Sequence, residues 1–351
     1  MFLYGRLYTN YSEVVSDVDT YTSNLLEGSA VSNADEVVLP DSGETAEDIA
    51  RASWINKKGI ILGGGLLIIH PDKYLINSGF LSYSLSYGSN HKKLSSYAQG
   101  KSIVHIHSND LKKLYIFYPS RFNEQSKIFN ILNYLENLIT LQQRKLEILI
   151  KLKQSFLTKI MANNIDKNPE LYFNSASIKW LKQELSNLTI KEFKGNTKLN
   201  DTKTGKTEYL DAERLNGNVP LFIDKPINTL KSDILILWDG SKAGSVYYGF
   251  EGSLGSTLKA IRLNPKLVNS FFVYQQLKSK QDVIFNKYRT PNIPHVIKNF
   301  TKVYSIYFPS MAVQNKIARF LGNLDTLIEI QQKSIKDHKV IKKYLLQKLF
   351  I

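Results

Sequence analysis

The sequence predicts an α+β protein in which two globular domains alternate with two long helices, in the order globule, helix, globule, helix. Three observations predict it. The chain repeats itself with a period near 190 residues. Each copy ends in a long run of helix formers with apolar residues at helical spacing. Ahead of each run lie short β-like stretches broken by Gly, Ser, Asn and Asp.

The repeat is read most easily around the helices. The first copy runs Tyr115, Ile116, Phe117, Tyr118, Pro119, then Gln125, Lys127, Ile128, Leu132, Leu135, Glu136, Leu138, Ile139, Gln142 and Gln143. The second runs Ser305, Ile306, Tyr307, Phe308, Pro309, then Gln314, Lys316, Ile317, Leu321, Leu324, Asp325, Leu327, Ile328, Gln331 and Gln332, at a constant offset of 189 from Gln314 onward. Upstream, Asn77, Ser78 and Phe80 answer Asn269, Ser270 and Phe272, and His105 answers His295. A colinear series of this kind is a duplication.

In chain order, Val37–Leu39, Gly59–Ile69, Ile103–Ile106 and Leu114–Tyr118 read as strands of the first globule. Gly63, Gly64 and Gly65 read as part of a closely packed strand. Gln125–Ala162 holds neither Gly nor Pro, and its 38 residues make a helix of roughly 57 Å at ~1.5 Å each. With Ile128 at heptad position a, that position holds Ile128, Leu135, Gln142, Leu149 and Phe156; d and e add Ile131, Leu138, Leu152, Leu132, Ile139, Leu146 and Ile160. Ile165–Asn174 reads as the linker out of this helix. Ile234–Trp238, Val246–Phe250, Leu258–Leu263 and Tyr304–Phe308 read as strands of the second globule. In the last helix position a holds Ile317, Leu324, Gln331, His338 and Leu345, again flanked by apolar d and e residues. Such a stripe is a coiled-coil seam, and Gln142 and Gln331 in its middle either set register or are merely tolerated. Ser120 and Ser310 stand where helix N-caps belong. The expected segments are 1–118, 119–164, 165–306 and 307–351.

Net charge is +15, and residues 1–50 hold ten acids against Arg6 alone, a net of −9, so residues 51–351 carry +24. That balance points to a polyanion, nucleic acid before membrane. Without cysteine there is no disulfide or thiolate metal site. The apolar run Ile60–Ile69 is too short to span a bilayer, and no secretory signal follows Met1, which leads us to expect a cytoplasmic protein.

Catalytic patterns are poor. An adenine methyltransferase needs an Asn/Asp-Pro-Pro-aromatic motif, and Asn168, Pro169, Glu170, Leu171 lacks the second Pro and the aromatic. Asp72 with Asp110 and Lys112 mimics a nuclease triplet at loose spacing. His105 and His107 share a strand face but lack an evident third metal ligand.

The helix signature Pro119, Glu124, Gln125, Lys127, Ile128, continued through Leu135, Glu136 and Gln142 and repeated from Pro309, closely resembles the specificity subunit of Type I restriction–modification systems. Leu39–Ile49, Ile61–Gly64, Phe80–Tyr83 and Ala98–His105 resemble one target-recognition domain type of that family; Asp233–Ile236, Gly252–Gly255 and Leu258–Ile261 resemble another. The resemblance implies an α+β fold of two target-recognition domains separated by an antiparallel coiled coil of the two helices. It implies a non-catalytic subunit that reads a bipartite site in double-stranded DNA, with two methylation subunits docked on it and two motor-nuclease restriction subunits joining for cleavage. No cofactor is implied on this chain; S-adenosylmethionine, ATP and Mg belong to those partners. There are two departures. Val313 stands for the Glu of the second signature, and the segment Trp180–Gly195 that opens the second copy has no counterpart in the first.

DNA readers need phosphate-neutralising cations and donors that reach base edges. Candidates in the first domain are the loop Asn90, His91, Lys92, Lys93 and the residues Gln99, Lys101 and Ser102. In the second they are Lys198, Asn200, Thr202, Lys203, Lys206, Lys242, Lys287, Tyr288, Arg289 and Thr290. Taken singly, each reads more readily as a solvated basic loop; taken as a set, they favour contact. Two rival readings stand beside this one: a coiled-coil adaptor that binds DNA without sequence preference, and a stand-alone nuclease or methyltransferase.

Overall fold

The structure, a computed structural model, describes residues 1–7, 9–23, 27–161, 180–201 and 203–350. The expected linker Ile165–Asn174, the stretch Asn168–Leu171 and Thr202 lie outside the described residues. The chain forms two compact units, Met1–Lys145 with Gln331–Ile351, and Leu146–Ile330.

In the first unit the strands are β1 (Val14–Val15), β2 (Ala30–Asn33), β3 (Val37–Pro40), β4 (Ser42–Gly43), β5 (Ser53–Ile55), β6 (Lys58–Leu62), β7 (Leu66–Ile69) and β8 (Val104–His105). The helices are α1 (Ala46–Ile49), α2 (Ser78–Ser86), α3 (Gly88–Ser96), α4 (Ser108–Leu111) and the first part of α5 (Phe122–Ile160). The main sheet runs β1-β5-β3-β7, with β3 antiparallel to both neighbours. All four residues of β3 are buried, as an unbroken apolar run in a central strand demands. Gly63–Gly65 forms the turn between β6 and β7 rather than strand, and Gly63 lies so close to the Phe2 carbonyl that a Cβ would come within 2.8 Å of it.

The second unit holds β9 (Leu181–Glu184), β10 (Thr189–Lys194), β11 (Thr204–Leu210), β12 (Phe222–Ile223), β13 (Ile234–Leu237), β14 (Val246–Tyr247), β15 (Ser253–Leu254), β16 (Leu258–Leu263) and β17 (Ser305–Phe308). Its helices are α6 (Ala212–Leu215), α7 (Ser270–Ser279), α8 (Gln281–Lys287), α9 (Phe300–Val303) and part of α10 (Met311–Leu349), which ends in the first unit. The sheets run β10-β16-β13-β14 and β12-β11-β15, with β17 paired to β9.

The duplication is visible atom by atom. Asn77 caps α2 by accepting from the Phe80 amide, and Asn269 caps α7 by accepting from Phe272. Gln125, fully buried, accepts from the Asn77 amide at 2.8 Å and donates to Leu75 and Pro119 carbonyls. Gln314 repeats this: it accepts from Asn269 at 2.8 Å and donates to Leu267 and Pro309. The signature glutamine therefore pins the start of each long helix to the cap of a short one.

The long helices pair antiparallel within each unit. In the first, Glu136 meets Lys342 and, further along α5, Gln142 meets Ser334 and His338. In the second, Lys153 meets Asp325, and Phe156 packs edge-on against Phe320. The seam differs from expectation in one respect. Positions a and e are buried or half-buried except at Leu349, whereas the d residues Ile131, Leu152, Leu327 and Ile341 are exposed. Both a–d and a–e stripes have a period of 3.5 residues, so apolar residues at d and e together left the inner face undecided.

Two further expectations are corrected. Helix α5 starts at Phe122, so Arg121 and not Ser120 holds the cap position, its carbonyl receiving the Glu124 and Gln125 amides. Leu114–Tyr118 is not a strand.

Candidate nucleic-acid interface

In the first unit, Asn90, His91, Lys92 and Lys93 lie on α3, not on a loop. The helix turns Asn90 inward, where its amide donates to Ser84 at 2.8 Å, and His91 Nδ1 sits 2.8 Å from the Ala50 carbonyl. Those two side chains serve the fold; Lys92 and Lys93 on the outer face are exposed. Just beyond α3, Gln99 and His105 exchange backbone hydrogen bonds of 3.0 and 2.8 Å, closing a tight loop. Its tip presents Lys101, Ser102 and Ile103, all exposed. Gly100 makes that loop possible: its φ is +142° and a Cβ would lie 1.9 Å from the Ile103 carbonyl.

In the second unit, Lys242 sits exposed in the β13–β14 turn. Arg289 donates to the Ser241 carbonyl at 3.0 Å, and its guanidinium lies over Phe285. The Gly240 amide bonds Pro294, and the Val296 amide bonds Trp238, so the turn and the 288–296 loop form one surface. Lys194, which the sequence did not single out, joins it through Asp239 at 2.6 Å. A lysine at a strand end carries no pattern that would have marked it. Lys287 is exposed on α8's last turn. Tyr288 instead packs edge-on against Phe300 and Tyr304, and the Thr290 hydroxyl is held by Ile293 and His295, so both are structural. Lys198 and Asn200 are exposed, four and six residues beyond Lys194. Lys203 and Lys206, also exposed, lie at the start of β11, in the other sheet.

The chemistry-bearing clusters are otherwise accounted for. Asp72 caps the Tyr74 amide, and Asp110 pairs with Lys113 and the His107 amide. The Lys113 side chain, then the His107 amide, hold the Asp110 carboxyl below its usual range. His105 and His107 stack in parallel 6.4 Å apart. Among the described residues one group has metal-ligand proximity: Asp35, Glu36 and His70, within 4.8 Å. Its counterpart explains it. Asp233 precedes β13 and Arg262 follows Ile261, its cross-strand partner residue in β16, and the two form a bidentate pair at 2.8 and 2.7 Å. Glu36 precedes β3 and His70 follows Ile69 of β7 in the same register. Burial alone pushes the Glu36 carboxyl up, but the Asn33 amide and Ser32 hydroxyl outweigh it and hold it low.

Each unit also carries a groove beside its paired helices. In the first it encloses about 900 Å³ and is lined by Lys92, Glu136, Ile139, Lys339, Lys342, Lys343 and Leu346 among others. Lys342 bonds Glu136 at 2.6 Å and lies over the Tyr83 and Tyr87 rings. Burial, then the nearby Glu13 carboxylate, push both phenols up. In the second unit the groove encloses about 460 Å³, with Ile150, Lys153, Leu157, Asp325 and Ile328 in its wall. At the helices' offset of 189 these are the equivalents of Lys339, Lys342, Leu346, Glu136 and Ile139.

Comparison with known proteins gives one consistent result. The profile of the Type I restriction modification DNA specificity domain matches residues 16–154 and 183–337. The MjaVIII specificity subunit of a type I restriction enzyme of Methanocaldococcus jannaschii is 33% identical over 150 residues, 42% of this chain and 35% of that protein, so the match spans about a third of that relative's length. A type I specificity subunit of Mycoplasma genitalium is 28% identical over 286 residues, 77% of this chain and 70% of that one. The crystal structure of a type I restriction–modification S subunit from M. genitalium aligns with a TM-score of 0.70 at 20% identity, covering 100% of this chain and 92% of the other.

Proposed function

Because this chain belongs to the Type I restriction–modification DNA specificity family, we propose that its two units each read one half of a split DNA site for partner enzymes. The observation that carries this reading is the duplication, which extends to the Gln125/Gln314 clamp, the Glu36/Asp233 site and the two grooves. Two like modules offer two like surfaces, as a two-part target requires.

The contacts divide by chemistry. Lys93, Lys198, Lys203, Lys206 and Lys287 neutralise phosphates, and each released counterion steepens the salt dependence. Lys101 and Ser102 at the loop tip, and Lys242 and Arg289 on the turn, reach for base edges. The chain performs no chemistry itself. Two methylation subunits, carrying S-adenosylmethionine, sit on the two grooves; restriction subunits using ATP and Mg join for cleavage. The paired helices act as a spacer whose length sets the gap between half-sites. Among the described residues no helix is long and apolar enough to cross a membrane.

Co-expression with an adenine methyltransferase subunit, followed by mapping of methylated adenines, tests the reading. It expects a bipartite motif with a fixed gap. Methylation at a continuous motif contradicts it; binding with no sequence preference and no steep salt dependence supports the adaptor reading; DNA cleavage or methylation by the purified chain alone supports the enzyme reading.

A further inference from the structure

The group Asp35, Glu36 and His70 stands at the same register as the Asp233–Arg262 pair but differs from it in charge. In the second unit one buried acid, Asp233, meets a permanent cation, Arg262, and the residue before the acid is Ser232, so the site sums to zero. In the first unit two carboxylates meet an imidazole, and His70 takes the place of the arginine. An imidazole is uncharged when it binds a metal, so the group then carries a charge of −2. Where one copy binds a guanidinium, the other offers a dianionic set of oxygen and nitrogen ligands.

The fold brings the three together from two directions. Ala34, at φ +76°, lies in the turn from β2 to β3 that carries Asp35 and Glu36. Strand β7 ends at Ile69 opposite Val37, which puts His70 beside Glu36. The ligand atoms lie within 4.8 Å of one another. Around one ion, at about 2.1 Å per ligand, they would stand no more than about 4.2 Å apart, so a closing movement of about half an ångström suffices. Glu36 is buried and clamped by the Ser32 hydroxyl at 2.7 Å and the Asn33 amide at 2.8 Å. Among the described residues its Oε1 accepts from that amide alone, which leaves a lone pair for a metal. Ser78 donates to the Asp35 carbonyl at 3.0 Å and Trp54 to the Ala34 carbonyl at 3.1 Å, so the turn is held before any ion arrives. His70 is exposed and Asp35 half-buried, and water can complete the coordination.

We infer that Asp35, Glu36 and His70 bind one divalent transition-metal ion, of the Mn2+ or Zn2+ kind, which fastens the β2–β3 turn to the end of β7. Two carboxylates with one imidazole select such an ion over Mg2+ and Ca2+, which prefer oxygen ligands throughout. The ion does in the first unit what the Arg262 guanidinium does in the second: it neutralises a buried carboxylate and ties two strands together. The folded unit assembles the three ligands and the unfolded chain does not, so the ion stabilises the fold. The inference concerns how the first unit is held, and stands apart from what the unit reads.

The test titrates the chelator-treated full chain with Zn2+, Mn2+ or Mg2+ and follows hydrogen exchange at 37–39 and 66–69. His105 and His107 offer Zn2+ a second place on the chain, so the readout is kept at the strands that the ion would tie. Zn2+ or Mn2+ is expected to slow exchange at both segments at least about tenfold, and Mg2+ at the same concentration to leave it unchanged. His70→Arg, which copies Arg262, is expected to keep both segments protected without metal and to lose the response to it. Asp35→Ser, which copies Ser232 and leaves the Glu36 clamp intact, is expected to weaken the response at least about tenfold and serves if the arginine variant does not fold. The inference is overturned if neither Zn2+ nor Mn2+ slows exchange at these strands, if Mg2+ slows it as much, or if the folded variants respond like the parent chain. None of these readouts involves DNA, so a negative result leaves the methylation test to judge the proposed function.

Discussion

Gln125 and Gln314 each satisfy three backbone groups with one buried amide, joining the start of a long helix to the cap of a short one. Removing such an amide leaves part-buried donors and acceptors without their partner and empties a packed site, at a cost of about 1–2 kcal/mol. Gln125→Ala is expected to lower protection from hydrogen exchange in the first unit, and Gln314→Ala in the second, each leaving the other unit unchanged. Glu36 gives a pH dependence. Its carboxyl is held below the usual value in the folded chain, so it contributes stability above that value and loses it as pH falls. Glu36→Gln is therefore expected to flatten the acid limb of first-unit unfolding between about pH 5 and 3; an unchanged limb contradicts the assignment. At this scale the sequence was only partly legible. It marked Lys92, Lys93, Lys101 and Lys242, which the fold leaves exposed, together with Asn90, His91, Tyr288, Arg289 and Thr290, which the fold engages. A polar residue looks alike in sequence whether its partner is water or a buried hydroxyl, and Ser84 could not be recognised as the partner of Asn90 before α2 and α3 were packed.

Among elements, the long helices were the most legible, because a 3.5-residue stripe over five heptads admits no other structure. Which apolar rows face inward was not, because Ile131, Leu152, Leu327 and Ile341 match core residues in chemistry while lying outside. Leu114–Tyr118 failed for another reason: its residues suit a strand, but a strand exists only beside a partner. The mid-seam polar residues form a local network, with Gln142 bonded to Ser334 and to His338, and Gln331 donating to the Gln142 carbonyl. This favours a role in register over mere tolerance. The grooves were invisible in sequence, being made from lysines and carboxylates on different helices. Lys339 and Lys343 are exposed on the first groove and Lys342 is already paired with Glu136. Lys339→Glu with Lys343→Glu is expected to leave folding intact but reduce loading from two methylation subunits to one. Native mass spectrometry of the co-purified complex checks this, and unchanged loading places the docking site elsewhere.

On the scale of the whole molecule, duplication and charge were legible and together led to the family. That Trp180–Gly195 has no counterpart within the first copy was legible too. Helices α5 and α10 are 39 residues each. Inserting one heptad after Lys145 and another before Gln331 keeps the seam in phase and adds about 10 Å to the spacer. At about 3.4 Å per base pair, the gap between half-sites is expected to widen by about three base pairs with both half-sites unchanged. A methylated motif with its original gap argues against the spacer.

The central claim is that each unit reads one half-site independently. The most direct measurement replaces residues 180–306 with those of a relative of different specificity and maps methylated adenines made by the resulting complex. The account predicts that one half of the motif changes while the other half and the gap are retained. Alteration of both halves, or of neither, contradicts it.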